Sequence, residues 1–170
     1  MGRWRPPVAK SSPYITPEGA QKLTDELKIL WKIERPEVTA KVQAAAKNGD
    51  RSENGDYIYG KQRLREIDRR VRYLSNRLDE VTIVDRSPSD QNCVYFGAWV
   101  DLNFLSDGTR TIRVRVVGAD EIDARKQWIS MDSPLGKGLL GKAVGDKVVY
   151  KTESGENAVR IDAILYHLNK

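Results

Sequence analysis

Between Tyr57 and Val81 the apolar residues Tyr57, Leu64, Ile67, Val71, Leu74, Leu78 and Val81 follow one another at steps of 7, 3, 4, 3, 4 and 3. Steps alternating between three and four keep one narrow stripe of an α-helix apolar, the seam of a coiled coil, and a strand period of two does not fit them. Such a seam needs a partner helix to cover it. The preceding segment supplies one, because Leu23, Leu27, Trp31, Val38, Val42 and Ala45 recur at steps of 4, 4, 7, 4 and 3. Thr16-Pro17 reads as its start: a hydroxyl can cap free amides, and proline at the first helical position gives up an amide that has no partner there. Pro36 falls inside the run and removes one backbone hydrogen bond, so the reading is one bent helix, which Asn48-Gly49 ends. Two helices joined by a short loop predict an antiparallel coiled-coil hairpin over residues 14–85. Its second arm, residues 53–81, would run on the order of 40 Å at the α-helical rise.

Past residue 85 the pattern changes. Residues 1–85 carry 17 basic and 13 acidic side chains, whereas the remainder carries 12 and 11 with frequent glycine and alternating apolar residues, which sets a domain boundary near residues 85–91. Ile112, Val114 and Val116 alternate with Arg113 and Arg115, predicting a strand with one buried face. Strands are predicted over 94–105, 109–117, 127–131, 147–152 and 158–168, with Ser106-Asp107-Gly108 as a hairpin turn and a short helix capped by Ser133 ahead of Pro134. The fold class is therefore α+β, a helical hairpin followed by a small antiparallel sheet domain with one short helix over residues 86–170. Residues 1–13, broken by Pro6 and Pro7, read as a mobile tail without the apolar run of a signal peptide.

Composition excludes several classes. With 39% apolar and 31% charged residues and no run near the roughly 20 apolar residues of a membrane span, an integral helical membrane protein is ruled out. One cysteine, Cys93, and one histidine, His167, allow neither an intrachain disulfide nor a Cys/His zinc site, which fits a reducing cytoplasm. The net charge of +5 decides little by itself.

The loop joining the two helices reads Asn48-Gly49-Asp50-Arg51-Ser52-Glu53-Asn54-Gly55-Asp56-Tyr57, with three carboxylates in seven residues. One account is local: acids in a helix's first turn complement its dipole, and Asp50 with Glu53 has capping-box spacing. An EF-hand is excluded, because Asp50, Ser52, Asn54 and Gly55 fit positions 1, 3, 5 and 6 but the twelfth, which must be a bidentate Glu, is Lys61. The other account is an incomplete Mg²⁺ site, since that ion keeps most of its waters and takes one or two protein carboxylates plus groups from a partner. Below the loop, Lys61, Arg63, Arg65, Arg69, Arg70, Arg72 and Arg77 face only Glu66 and Asp68. With the seam occupied by apolar residues, these cations are expected on the outer faces, as a solvated surface or as a stripe following an RNA or DNA backbone without reading sequence. Tyr57 belongs to the seam, while Tyr59 lies off it, either simply exposed or able to stack on a base.

Glu34-Arg35-Pro36-Glu37-Val38, Gly49-Asp50-Arg51-Ser52-Glu53-Asn54, the run from Arg63 to Leu74, Asp132-Ser133-Pro134 and Val144-Gly145-Asp146 together resemble the Gre family of bacterial RNA polymerase elongation factors, over residues 14–168. The resemblance implies a coiled coil that enters the secondary channel of RNA polymerase and a C-terminal domain, similar in fold to FKBP, that docks at the channel rim. It implies that Asp50 and Glu53 help hold the polymerase's second catalytic Mg²⁺ and orient the water that cuts backtracked RNA near its 3′ end, with Ser52, Asn54 and Asp56 shaping the loop. Arg63, Arg65, Arg69, Arg70 and Arg72 would meet the extruded RNA or the channel wall, and Asp132, Ser133 and Pro134 the polymerase surface, although Ser133-Pro134 is equally a helix start. The chain would be a monomer in isolation, bind no metal stably alone and stimulate the polymerase without being an enzyme. An alternative within the same family is a channel-binding module that inhibits without promoting cleavage. Family members usually carry Ala where Gly55 stands, so the first turn of the second helix is expected to fray more readily here.

Overall fold

The computed structural model describes residues 10–167; of the tail expected over residues 1–13, residues 1–9 lie outside them. The chain divides into two compact units: Glu18–Val81 forms one, and the residues up to Pro17 and from Thr82 onward form the other. The short segments that flank the helices thus belong with the sheet rather than with the hairpin in which the periodicity placed them. The reason is a pair of two-residue strands, β1 (Tyr14–Ile15) and β2 (Thr82–Ile83), which run parallel and pair across the ends of the helical insert. Ser12, expected in a mobile tail, donates its backbone N–H to Asp132 Oδ2 at 2.8 Å and its hydroxyl to Asp132 Oδ1. Thr16 donates its N–H and hydroxyl to the buried carboxylate of Glu121, which also accepts from Gly118 N–H at 2.9 Å.

In the helical unit, α1 (Pro17–Ile29) passes into a π-helical stretch, Leu30–Glu34, and then into α2 (Arg35–Ala46). The irregularity predicted at Pro36 is therefore a wide turn just before it. Proline has no N–H for the carbonyl four residues back, and the Arg35 N–H instead reaches Leu30 O, five residues back. At the start of the wide turn, Leu30, three residues after Leu27, takes the buried position, and Trp31, assigned to the stripe by spacing, is 54% exposed with Arg35 over its ring. After the loop, α3 (Gly55–Glu80) starts two residues later than expected. Its seam buries Ile67 and Leu74 almost completely, each a contribution of roughly 1.5–3 kcal/mol.

The seven-residue step between Tyr57 and Leu64 conceals a further seam position, Gly60. A Cβ there would lie 2.4 Å from Val42 Cγ2, so glycine is what lets α2 and α3 approach. With Gly60 included, the seam runs 57, 60, 64, 67, 71, 74, 78, 81 without a gap.

The sheet unit has five strands in the order β5-β4-β3-β7-β6, made of β3 (Trp99–Phe104), β4 (Thr111–Val117), β5 (Trp128–Ser130), β6 (Lys147–Thr152) and β7 (Gly155–Leu165). Three of the four pairings are antiparallel as predicted, but β5 runs parallel to β4, which makes the sheet mixed. Two short 3₁₀ turns, Ala119–Glu121 and Ala124–Lys126, occupy the connection that a parallel pairing requires. Val100, Leu102, Val114, Val116, Val159 and Ile161 fill the core, together with Leu139 from the short helix α4 (Pro134–Leu139). Among the described residues, no helix is long and apolar enough to cross a membrane.

Candidate functional site

The site is built from the loop between α2 and α3. Asn54, and not Asp50, caps α3: its Oδ1 accepts from Tyr57 N–H at 3.2 Å, while its Nδ2 donates to Ala45 O at 2.8 Å. One side chain thus satisfies a free amide of one helix and a terminal carbonyl of the other, fixing the loop at both ends. The expected Asp50–Glu53 capping box is absent, because Glu53 lies before the cap and α3 begins at Gly55.

Asp50 closes its own turn. Its Oδ1 accepts from Ser52 N–H at 2.9 Å and from Ser52 Oγ at 2.8 Å, an arrangement typical of aspartate in turns. These two bonds hold its carboxyl below the ordinary aspartate value of 3.8. Its Oδ2 accepts no hydrogen bond among the described residues, nor do the exposed carboxylates of Glu53 and Asp56. Arg51 lies over the ring of Tyr57, 5.9 Å from its centre. The loop therefore presents acceptor oxygens to solvent that no ion pair neutralises among the described residues. Among the described residues no three His, Cys, Asp or Glu side chains converge on one point. The available donors are hard carboxylate oxygens, the type Mg²⁺ takes in small number alongside water and partner groups.

The arginines of α3 fall into two groups that the heptad explains. Arg63, Arg70 and Arg77 recur at steps of seven beside the seam, where side chains reach the facing helix. Arg63 pairs with Glu34 at 2.7 Å and Glu66 at 3.3 Å, and Arg70 makes a two-pronged pair with Glu26 at 2.6 and 2.9 Å. The Arg70 hydrogen bonds lower the carboxyl pKa of Glu26. Arg77 is buried. Arg35 completes the set from the other side by pairing with Asp68 at 2.8 Å. The expectation of cations on outer faces is therefore corrected for Arg77, which is buried, while Arg63 and Arg70 are exposed but reach across to the facing helix. Arg65, Arg69 and Arg72 do lie on the outer arc, exposed and without an ion pair among the described residues.

Asp132 and Ser133 have work within the sheet unit. Asp132 holds Ser12 with both oxygens, and Ser133 Oγ accepts from Gly136 N–H at 3.0 Å as the cap of α4 while donating to Ser130 O at 2.6 Å. Pro134 is the first residue of that helix and is exposed. Sequence reading overlooked Asn54 as the cap, although an Asn three residues before the helix's first seam tyrosine is a usable signal. It also overlooked Gly60, whose signal was the seven-residue gap in the seam.

Comparison with known proteins agrees with this layout. Residues 13–83 match the family described as "Transcription elongation factor, N-terminal", and residues 88–166 match "Transcription elongation factor, GreA/GreB, C-term". Transcription elongation factor GreB of Xanthomonas axonopodis pv. citri is 49% identical over 166 residues, 98% of each chain. The GreB of Pseudomonas aeruginosa is 52% identical over 156 residues, 92% of each chain. That of Yersinia pestis is 52% identical over 159 residues, 94% of this chain and 91% of its own. With both units matched in order, and with this identity over nearly the whole length, the chain belongs to the GreA/GreB family of transcription elongation factors.

Proposed function

We propose that the helical unit enters RNA polymerase and that Asp50 and Glu53 lend carboxylate oxygens to a Mg²⁺ of the polymerase's active centre, stimulating the polymerase to cut the 3′ end of backtracked RNA. The observation that carries this reading is the loop itself: a rigidly capped turn whose Asp50 Oδ2 and Glu53 carboxylate are left without internal partners. A Mg²⁺ held there would lower the pKa of a bound water and stabilise charge on the phosphate being cut. Each residue of the loop then has a stated task. Ser52 keeps Asp50 ionised and oriented, Asn54 locks the turn to both helices, and Glu53 and Asp56 add negative potential. Arg65, Arg69 and Arg72 follow RNA phosphates, whereas Arg63 and Arg70 keep the hairpin closed. The bond is broken by the polymerase, so this chain is a stimulator rather than an enzyme. Pro134 and the exposed residues around α4 are the docking surface offered by the sheet unit.

The test is a halted, backtracked polymerase carrying end-labelled RNA. Asp50→Asn with Glu53→Gln should reduce RNA shortening by at least ~100-fold, the scale seen when groups stabilising transition-state charge are removed. Competition with the wild-type protein for polymerase should be unaffected. Unchanged shortening by the double variant overturns the metal role. Slowing of every polymerase step by the wild type, with no shortening at all, identifies an occluding module instead.

A further inference from the structure

We propose that Tyr59 is a stacking platform for an unpaired base of the RNA whose 3′ end the loop addresses, a positioning residue that acts beside the two acids. The inference rests on the reading of the loop given above. Tyr59 is 74% exposed, the highest value among the exposed large apolar side chains, and stands barely one turn into α3. Tyr57, two residues earlier, is half-buried in the seam with Arg51 over its ring, and Tyr73 has Arg70 over its ring at 5.2 Å. Tyr59 has neither an aromatic or cationic ring partner nor a hydrogen bond among the described residues, so its ring is open to stacking and its hydroxyl is free.

Its direction is set by the helix. Side chains of an α-helix lean toward its N-terminus, and Tyr59 Cε2 lies 3.8 Å from where a Cβ on Gly55 would stand, so the ring reaches back over the first turn toward the loop. Its place in the heptad is on the side away from the seam, as are those of Arg65, Arg69 and Arg72, which lie about 80–140° round the helix from it. Arg65 follows six residues later, about 9 Å along the axis. An exposed aromatic ring ahead of exposed arginines that have no ion pair is a combination by which proteins hold single strands: cations follow the phosphates and the ring accepts whatever base arrives. The exposed cations favour a polyanion over an apolar protein surface as the occupant, and the place at the start of the helix that follows Asp50 and Glu53 points to the RNA end being cut.

Stacking losses on alanine substitution correspond to roughly 5- to 150-fold per base. Tyr59→Ala should therefore lower the single-turnover cleavage rate at saturating factor by about tenfold. The factor concentration giving half the effect should stay within about twofold, because polymerase docking lies elsewhere. Tyr59→Phe, which keeps the ring and drops the hydroxyl, should restore the rate. A second readout uses 2-aminopurine as the 3′-terminal base, in the Asp50→Asn, Glu53→Gln background so that the RNA stays whole. Its fluorescence should be quenched with Tyr59 or Phe and not with Ala. A Tyr59→Ala protein that cleaves at the wild-type rate, a Phe variant as weak as Ala, or quenching that ignores the ring would each overturn the proposal. Normal cleavage by the doubly neutralised loop would instead overturn the metal reading, and the fluorescence measurement would still report on Tyr59.

Discussion

Two short acidic turns open helices in this chain, Asp50-Arg51-Ser52-Glu53-Asn54 before α3 and Asp132-Ser133 before α4, and they use the same chemistry to opposite ends. Each has a polar side chain that caps the helix, Asn54 accepting from Tyr57 N–H and Ser133 from Gly136 N–H. Each has an aspartate that holds a serine. Asp132 engages both oxygens with Ser12, 120 residues away in sequence, and so joins two distant segments. Asp50 engages one oxygen with Ser52, two residues away, and leaves the other to solvent beside an unpartnered Glu53. A carboxylate whose acceptor capacity is filled from within holds the fold together. One held by a single oxygen is oriented and still able to ligate.

The largest expected effect separates the two turns by readout. Neutralising Asp50 and Glu53 together should abolish cleavage stimulation and leave thermal stability within about 0.5 kcal/mol of wild type, as for exposed surface changes. Asp132→Asn should do the reverse, loosening Ser12 and lowering the melting temperature while leaving cleavage by polymerase-bound factor unchanged at saturation. If both variants lose cleavage equally, the distinction between the turns is wrong.

Next in size are the caps. Ser133→Ala and Asn54→Ala each remove a helix cap and should cost on the order of 1 kcal/mol, read from denaturant unfolding. Asn54→Ala should in addition lower cleavage, because the bond to Ala45 O goes with it and the two acids lose their fixed support. Equal cleavage by the two cap variants would show that loop order does not matter to the reaction.

A smaller effect is the titration of Asp50. Its folded pKa lies below the ordinary value because of Ser52, so the turn's contribution to stability is fully present above the ordinary aspartate range and fades as pH falls through the lowered value. Carboxyl titration by NMR should place Asp50 below 3.8 and show Ser52→Ala moving it upward, though not fully, since the backbone bond from residue 52 remains. No movement of Asp50 in Ser52→Ala would remove the hydroxyl as a cause of the lowered value.

How much of this was legible beforehand follows from which interactions are local. The α3 seam, the acidic loop and the Ser133 cap were readable because each depends on residues three or four apart. The sorting of the arginines was nearly so: counting Arg63, Arg70 and Arg77 in sevens puts them beside the seam, and only the positions of Glu26 and Glu34 on the facing helix required the structure. Trp31 was misplaced because an apolar residue stands both three and four positions after Leu27, and two steps of four drift further round the helix than a four and a three, which leave Leu30 on the buried face. The parallel β5 and the two-residue β1–β2 pair depend on contacts between residues far apart, and strands of two or three residues have too few side chains to show a period. Asp50 and Glu53 matched a capping box by spacing, and only the position of Asn54 shows that the helix starts after them.

The smallest expected effect is that of Gly55→Ala, and it sharpens the comparison at its most sensitive point. Reading Gly55 as a helix-interior residue predicts a fraying cost near 1 kcal/mol. In the structure it is the first residue of α3, its φ is not positive, and an added Cβ would meet Tyr59 Cε2 at 3.8 Å, an ordinary contact. Alanine there should stabilise the protein by about 0.4–1 kcal/mol, chiefly by restricting the unfolded chain. Cleavage should be unchanged or raised, because the cap, the Asp50 turn and the carboxylates are untouched. A marked loss of cleavage with full stability would mean that the added methyl moves the Tyr59 ring, and that the placement of that ring matters as much as the acids of the loop before it.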